Sequence, residues 1–140
     1  MSHLRDLNLS SIERQVLDEI RELRSVGAEG LRRDVVARPE RLFHHLILMT
    51  HGNVQLRIAP IARELSVEMR TLERAFSRRF GMTMAGHRIA VRLRYAKWML
   101  GLDPTPIIAA IAVTLGYERV QDFTRFFKKH AGAPPSGWLR

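Results

Sequence analysis

Arg70, Arg74 and Arg78 recur at four-residue steps, and Gln121, Arg125 and Lys129 do the same about 51 positions later. A four-residue step lines side chains up along one side of a helix. Their chemistry suits the edges of base pairs: Arg pairs with guanine O6 and N7, and Gln with adenine N6 and N7. Glu73 and Thr124 flank the two rows; Glu accepts from cytosine N4, and Thr suits several edges. The candidate base contacts are therefore Arg70, Glu73, Arg74, Gln121, Thr124 and Arg125. Arg78, Arg79, Lys128 and Lys129 lie further along and suit phosphate oxygens, which position a protein without specifying sequence. Glu73 has a second reading, as an ion-pair partner for Arg70 one turn away. A solvated helix face is the plain alternative for any single Arg. The recurrence of Arg74 as Arg125 within a longer repeat argues against it.

That repeat is what must position these side chains. Ile61, Ala62, Leu65 and Glu68 match Ile111, Ala112, Leu115 and Glu118 at an offset of about 50. Leu72, Arg74, Phe76 and Gly81 then match Phe123, Arg125, Phe127 and Gly132 at about 51, so one residue has been added in the middle of the second copy. Each copy reads as a short helix, a tight turn and a second helix with a basic face. In such a unit the second helix lies in the major groove of a duplex and the first crosses behind it.

Upstream, residues 11–25 carry Ile12, Val16, Ile20 and Leu23 on one helical stripe with Leu17 beside it, and Ser10 or Ser11 can cap the start. Glu13, Arg14, Asp18, Arg21 and Glu22 cover the other face, and Gly27 supplies a stop. Residues 27–38 read as a loop or a broken helix. From Pro39, an apolar helix with Leu42, Phe43, Leu46, Ile47 and Met49 runs to His51-Gly52-Asn53. The first copy then begins near Ile58, with Pro60 tolerated in the first turn. Ile58, Ile61, Ala62 and Leu65 face inward, Ser66-Val67 makes the turn, and the next helix buries Met69, Leu72, Phe76 and Phe80.

A connector helix over residues 85–100 has one stripe of Ile89, Leu93, Ala96 and Leu100 and a second of Val91, Tyr95 and Trp98. Sixteen residues span roughly 24 Å at 1.5 Å per residue, and helix widths of about 10 Å bring this towards the 34 Å between successive major-groove faces. After Gly101 and Asp103-Pro104, Thr105 is placed to cap a helix beginning at Pro106. Ile108, Ile111, Ala112 and Leu115 fill its buried face, Val120, Phe123 and Phe127 that of the next, and Pro134-Pro135-Ser136 starts a last turn ending at Trp138. No segment alternates with period two, so no sheet is expected.

Charge accompanies the repeat. The chain carries a net +9 over 140 residues. Residues 1–45 are balanced, with eight basic and eight acidic side chains, so the whole excess lies in residues 46–140. A basic field over one module is what a polyanion requires. The absence of Cys excludes disulfides, thiolate zinc sites and a thiol nucleophile. His44, His45, His51, His87 and His130 are the candidate metal ligands, none in an HExxH pattern, so neither a catalytic nor a metal site nor a cofactor is expected. No apolar run approaches the roughly 20 residues of a membrane span and no secretion leader is visible, which makes a cytoplasmic protein the default.

Residues from about 40 to 140 resemble the DNA-binding region of the AraC/XylS family of bacterial transcription regulators. The resemblance rests on Ile61-Ala62, Leu65, Leu72, Arg74, Phe76 and Gly81, then Arg92-Leu93 and Ala96. In the second copy it rests on Ile111-Ala112, Leu115-Gly116-Tyr117, Phe123, Arg125, Phe127, Gly132 and Pro135-Ser136. It departs at Glu68, where the family has a Ser cap, at Arg119 and Gln121, at Met84 for Pro and at His87 for an aromatic residue.

The resemblance implies an all-α fold with two helix-turn-helix subdomains joined by a long connector helix, to which the stripe over residues 11–25 adds an extra N-terminal helix. The divisions expected are an N-terminal helical extension (1–38), a first subdomain (39–84), the connector (85–100) and a second subdomain (101–140). It also implies a nucleoid-associated DNA-binding transcription regulator, an activator in contact with RNA polymerase, that inserts helices 68–80 and 119–130 into successive major grooves of an asymmetric promoter site. Double-stranded DNA is the expected partner, and the protein a monomer or weak dimer. Most family members carry a larger ligand-binding domain upstream, and 45 residues are too few for the sheet-rich kind. The alternatives are thus the DNA-binding fragment of a larger ligand-responsive regulator, or a repressor or protein-interaction module with a dimerising N-terminal helix.

Overall fold

Ser10 and Glu13 start the first helix by exchanging hydrogen bonds: the Glu13 N–H donates to Ser10 Oγ at 3.3 Å, and the Ser10 N–H to Glu13 Oε1 at 2.9 Å. This is a capping box, in which two donors at a helix start are satisfied reciprocally. The computed structural model describes residues 8–25 and 38–138, and among these it has seven α-helices, a closing 3-10 turn and no strand. The helices are α1 (Ser11–Ser25), α2 (Pro39–Met49), α3 (Ile58–Glu64), α4 (Met69–Phe80), α5 (Met84–Leu100), α6 (Ile108–Thr114) and α7 (Val120–Ala131), and the 3-10 turn is Pro135–Trp138. The all-α architecture read from the sequence is therefore the observed one. The stop at Gly27 and the expected loop at 27–38, save its last residue Arg38, fall outside the described residues.

The described chain forms two compact units. The first holds the residues up to Leu46 with Gln55–Met84, and the second holds Ile47–Val54 with the residues from Ala85 onward. The eight residues after Leu46 thus belong to the second unit although they precede α3 in sequence.

In the first unit, Val16, Leu17 and Ile20 of α1 are buried together with Leu42 and Phe43 of α2. Leu17, expected only to flank the stripe, is 1% exposed, whereas Leu23 is 49% exposed. The buried face has turned by part of a helical step because Glu13 is drawn inward. Expected on the solvent face, Glu13 is fully buried. Its Oε2 accepts from the backbone N–H of Arg57 at 2.7 Å and from Arg57 Nε at 3.0 Å, and its Oε1 accepts from Arg57 Nη2 at 2.8 Å. Arg57 is the residue that precedes α3. One carboxylate therefore closes the starts of two helices, where the backbone dipoles favour negative charge. Burial alone pushes the Glu13 carboxyl up, but the bonds from Arg57 and Ser10 and the Arg57 charge outweigh it and hold it below its ordinary value. Ser10 Oγ also donates to Gln55 O at 2.7 Å, and Arg21 Nη2 lies 3.4 Å from Glu64 Oε2. The apolar face of α1 is used within the first unit.

In the second unit, Ala96 and Leu100 of α5, Ile111, Ala112 and Leu115 around α6, and Phe123 and Phe127 of α7 form one buried cluster. Three expectations fail here. Val120 is 38% exposed because α7 starts with it, one turn before the first buried ring. Trp98 is 60% exposed, while Tyr95 from the same stripe stacks on His51 at 3.9 Å between ring centroids. Thr105 does not cap α6: its hydroxyl lies 2.6 Å from Leu102 O and 3.5 Å from Leu100 O, so it ties off the end of α5 instead. The residue before α6 is Ile107, which makes no side-chain cap. No helix among the described residues is long and apolar enough to cross a membrane.

Candidate nucleic-acid interface

The repeated stretch folds into two copies of one backbone motif. Each has a seven-residue helix (α3, α6) and a twelve-residue helix (α4, α7). The first helix of each ends identically. Val67 N–H donates to Ala62 O at 2.8 Å and Ser66 N–H to Arg63 O at 3.1 Å; Tyr117 N–H donates to Ala112 O and Gly116 N–H to Val113 O, both at 3.0 Å. Ser66 and Gly116 occupy the left-handed region, at φ 58° and 90°. This pair of hydrogen bonds across a left-handed residue ends a helix sharply and redirects the chain. The linker then takes four residues (65–68) in the first copy and five (115–119) in the second, which places the added residue in the turn. Gly81 and Gly132 close the long helices at φ 71° and 84°.

Burial of Leu72 and Phe76 fixes which side of α4 faces out, and Phe123 and Phe127 do the same for α7. Arg70, Glu73, Arg74, Arg78 and Arg79 are exposed, as are Gln121, Arg125, Lys128 and Lys129, while Thr124 is half-buried. Among the described residues no ion pair joins Glu73 to Arg70. The Arg79 guanidinium sits 5.9 Å from the Phe80 ring centroid. The basic last turns, Arg78 and Arg79 in α4 and Lys128, Lys129 and His130 in α7, also complement the helix dipoles.

Two features, one in the second copy and one on the helix before it, escaped sequence reasoning. Asp122 stands between two arginines: Arg119 Nε donates to its Oδ2 at 3.1 Å and Arg119 Nη2 to its Oδ1 at 3.3 Å, while Arg125 Nη1 is 3.6 Å from Oδ1. The signal was the spacing 119, 122, 125, three residues at each step. The second feature is Arg92, read as a family marker but found buried. Its Nε donates to Gly52 O at 2.7 Å, its Nη1 lies 3.4 Å from the Tyr117 hydroxyl, and its guanidinium sits 4.8 Å from the Phe126 ring centroid. Burial raises the Tyr117 hydroxyl's pKa, and the Arg92 charge only partly counters this. Beside it, Val54 N–H donates to Leu115 O at 3.0 Å, and Asn53 Nδ2 to Thr114 O at 3.4 Å. The segment 52–54 thus braces the turn that aims α7.

The candidate histidines are dispersed. His44 stacks on Phe80 at 4.1 Å, its imidazole pKa lowered by burial and then by neighbouring His45, and His130 lies 4.9 Å from Phe126. No three His, Cys, Asp or Glu among the described residues come together as a metal site.

Residues 61–140 match the helix-turn-helix domain family that is AraC-type. The chain is similar to the HTH-type transcriptional regulator RipA of Corynebacterium glutamicum, with 30% identity over 90 residues, covering 64% of this chain and 27% of that protein. It therefore spans about a quarter of that relative's length. Among solved structures, it resembles the C-terminal domain of AraT, a response regulator from Geobacillus stearothermophilus. The TM-score is 0.64 at 24% identity, over 73% of this chain and 84% of the other. It also resembles the C-terminal domain of the two-component response regulator yesN from Fusobacterium nucleatum. Here the TM-score is 0.63 at 22% identity, over 74% of this chain and all of the other.

Proposed function

The chain belongs to the AraC/XylS family and carries its helix-turn-helix DNA-binding domain; from that premise we propose that it is a sequence-specific regulator of transcription. In this reading α4 and α7 enter successive major grooves of one asymmetric site. Arg70, Glu73 and Arg74 read bases in one groove and Gln121, Thr124 and Arg125 in the other, while Arg78, Arg79, Lys128 and Lys129 hold phosphates. The single observation that supports it most is the matched pair of reading helices. Each is aimed by the same turn and buried on its aromatic side, and each carries a row of exposed cationic or amide side chains at four-residue steps. Because the rows differ in composition, the two half-sites differ too. The regulator acts as an activator, in contact with RNA polymerase.

Selection of binding sites from a random duplex pool, followed by footprinting, tests this. The expected result is one asymmetric consensus whose two protected patches lie one helical turn apart, about 10–10.5 base pairs. A pool that emerges without any consensus sinks the proposal. A consensus confined to one groove removes the two-groove part alone. Transcription in vitro from a promoter bearing the selected site should rise on adding the protein, and a fall would make it a repressor.

A further inference from the structure

Asp122 is the one acidic side chain of α7, beside its exposed row, and it has no counterpart in α4, where the same register holds Thr71. Its carboxylate is one-third exposed and engaged by two guanidiniums that are themselves largely exposed. The two engagements differ. Arg119 is bound side-on through Nε and Nη2, the bidentate arrangement that fixes a guanidinium plane. Arg125 stands at 3.6 Å, close enough for attraction, while its donors stay available to another acceptor. Arg119 is also the residue immediately before α7, with extended backbone (φ −125°, ψ 134°), so the clasp anchors Asp122 to the end of the turn.

We propose that Asp122 is the positioning residue of the second reading helix: clasped by Arg119, it presents a fixed negative charge that holds Arg125 in the orientation from which it reads its base. An Arg on an exposed helix face samples many rotamers, and restricting them before binding lowers the entropy cost of a bidentate base contact. The same charge opposes indiscriminate contact with phosphate, so α7 reads bases at the expense of general grip. Lacking such an acid, Arg74 of α4 is the less restricted of the two. This inference rests on the assignment of Arg125 as a base reader.

A bland role also exists, because Asp122 lies in the first turn of α7, where an acid favours the helix dipole. The test separates the two roles. Affinities of the wild-type chain, Asp122→Asn, Arg119→Ala and Arg125→Ala are measured on the selected site, on its single-base variants and on scrambled duplex, with melting temperatures taken in parallel. The base pair whose preference vanishes in Arg125→Ala identifies the Arg125 contact. At that pair alone, Asp122→Asn and Arg119→Ala should each reduce the preference about three- to fivefold, within the roughly 5- to 150-fold a good bidentate contact supplies. Binding of Asp122→Asn to scrambled duplex should rise. If Asp122→Asn lowers the melting temperature but leaves that preference within about twofold, the role is helix stability and the proposal is overturned. If Arg125→Ala changes no preference, it is overturned while the function stands. If the wild-type chain selects no sequence, both fall.

Discussion

Arg57 holds both carboxylate oxygens of Glu13, through its backbone N–H and two guanidinium nitrogens, at 2.7–3.0 Å. Glu13 has no exposed surface, while the Arg57 side chain remains half in water. Removing the carboxylate charge would leave an arginine that can still be solvated, so the loss is that of charge-assisted hydrogen bonds rather than of a stranded ion.

Glu13→Gln should therefore cost about 2 kcal/mol of stability near neutral pH. The folded-state pKa of Glu13 is lowered from its ordinary 4.5, so its contribution is complete above that value and is lost as pH falls through the folded value. The gap between wild type and Glu13→Gln in urea midpoints should shrink from about pH 6 to about pH 3. A gap that stays constant with pH would show that shape, not charge, is what the site supplies.

Gly116 and Gly81 offer a matched comparison. Both are left-handed, but a β-carbon at Gly81 meets nothing within 4 Å, whereas one at Gly116 collides with the Asn53 side-chain amide. Gly81→Ala should cost about 1 kcal/mol for the backbone alone. Gly116→Ala should cost about 2–4 kcal/mol, part of it recovered by Asn53→Ala in the same chain. Equal costs at the two positions would show that Asn53 yields freely.

Arg92→Leu should destabilise the second unit by about 2 kcal/mol, since it deprives Gly52 O and the half-buried Tyr117 of a charged donor. Both tryptophans of the chain, Trp98 and Trp138, lie in this unit. Intrinsic fluorescence during urea unfolding therefore reports on it directly, and an unshifted midpoint would count against the brace.

On DNA, Arg74→Ala should cost about 1–3 kcal/mol on the selected site and relax preference at one pair. Lys128→Ala should weaken selected and scrambled duplex alike and flatten the plot of log affinity against log salt by about 0.9. A uniform loss for Arg74→Ala would reassign it to phosphate.

The helices were legible because their patterns are local. Phe123 and Phe127, Leu72 and Phe76 are four apart and buried, and Gly81 and Gly132 mark real ends. The exposure of Arg74, Arg125 and Lys128 followed from the same periodicity. What could not be read were partnerships across sequence distance. Glu13 looked like one charge among five on a polar face, and only the arrival of Arg57, 44 residues on, turns that position inward. Arg92 sat between two apolar stripes, and nothing local announces that Gly52 O waits for it. Thr105-Pro106 obeyed every rule for a helix start, yet the hydroxyl found carbonyls behind it before amides ahead. Asp122 is legible by spacing, since Arg119 and Arg125 stand three residues to either side of it.

Ser66 and Gly116 show why a glycine stands where it does. Ser66 adopts the same left-handed conformation in the first copy, so the turn itself tolerates a side chain. Glycine at 116 answers to Asn53, a feature of the second copy alone.

The interleaving of residues 47–54 with the second unit constrains how this protein can be inherited in pieces. A single recombination joint at residue 84/85 would deliver α5 and everything after it without Gly52, Asn53 and Val54, and so without the brace on the second turn. Grafting a foreign second helix-turn-helix unit at that joint would likewise bring it a mismatched brace. The two helix-turn-helix units are therefore expected to travel through evolution as one cassette, diverging by point substitution within α4 and α7 rather than by exchange of halves.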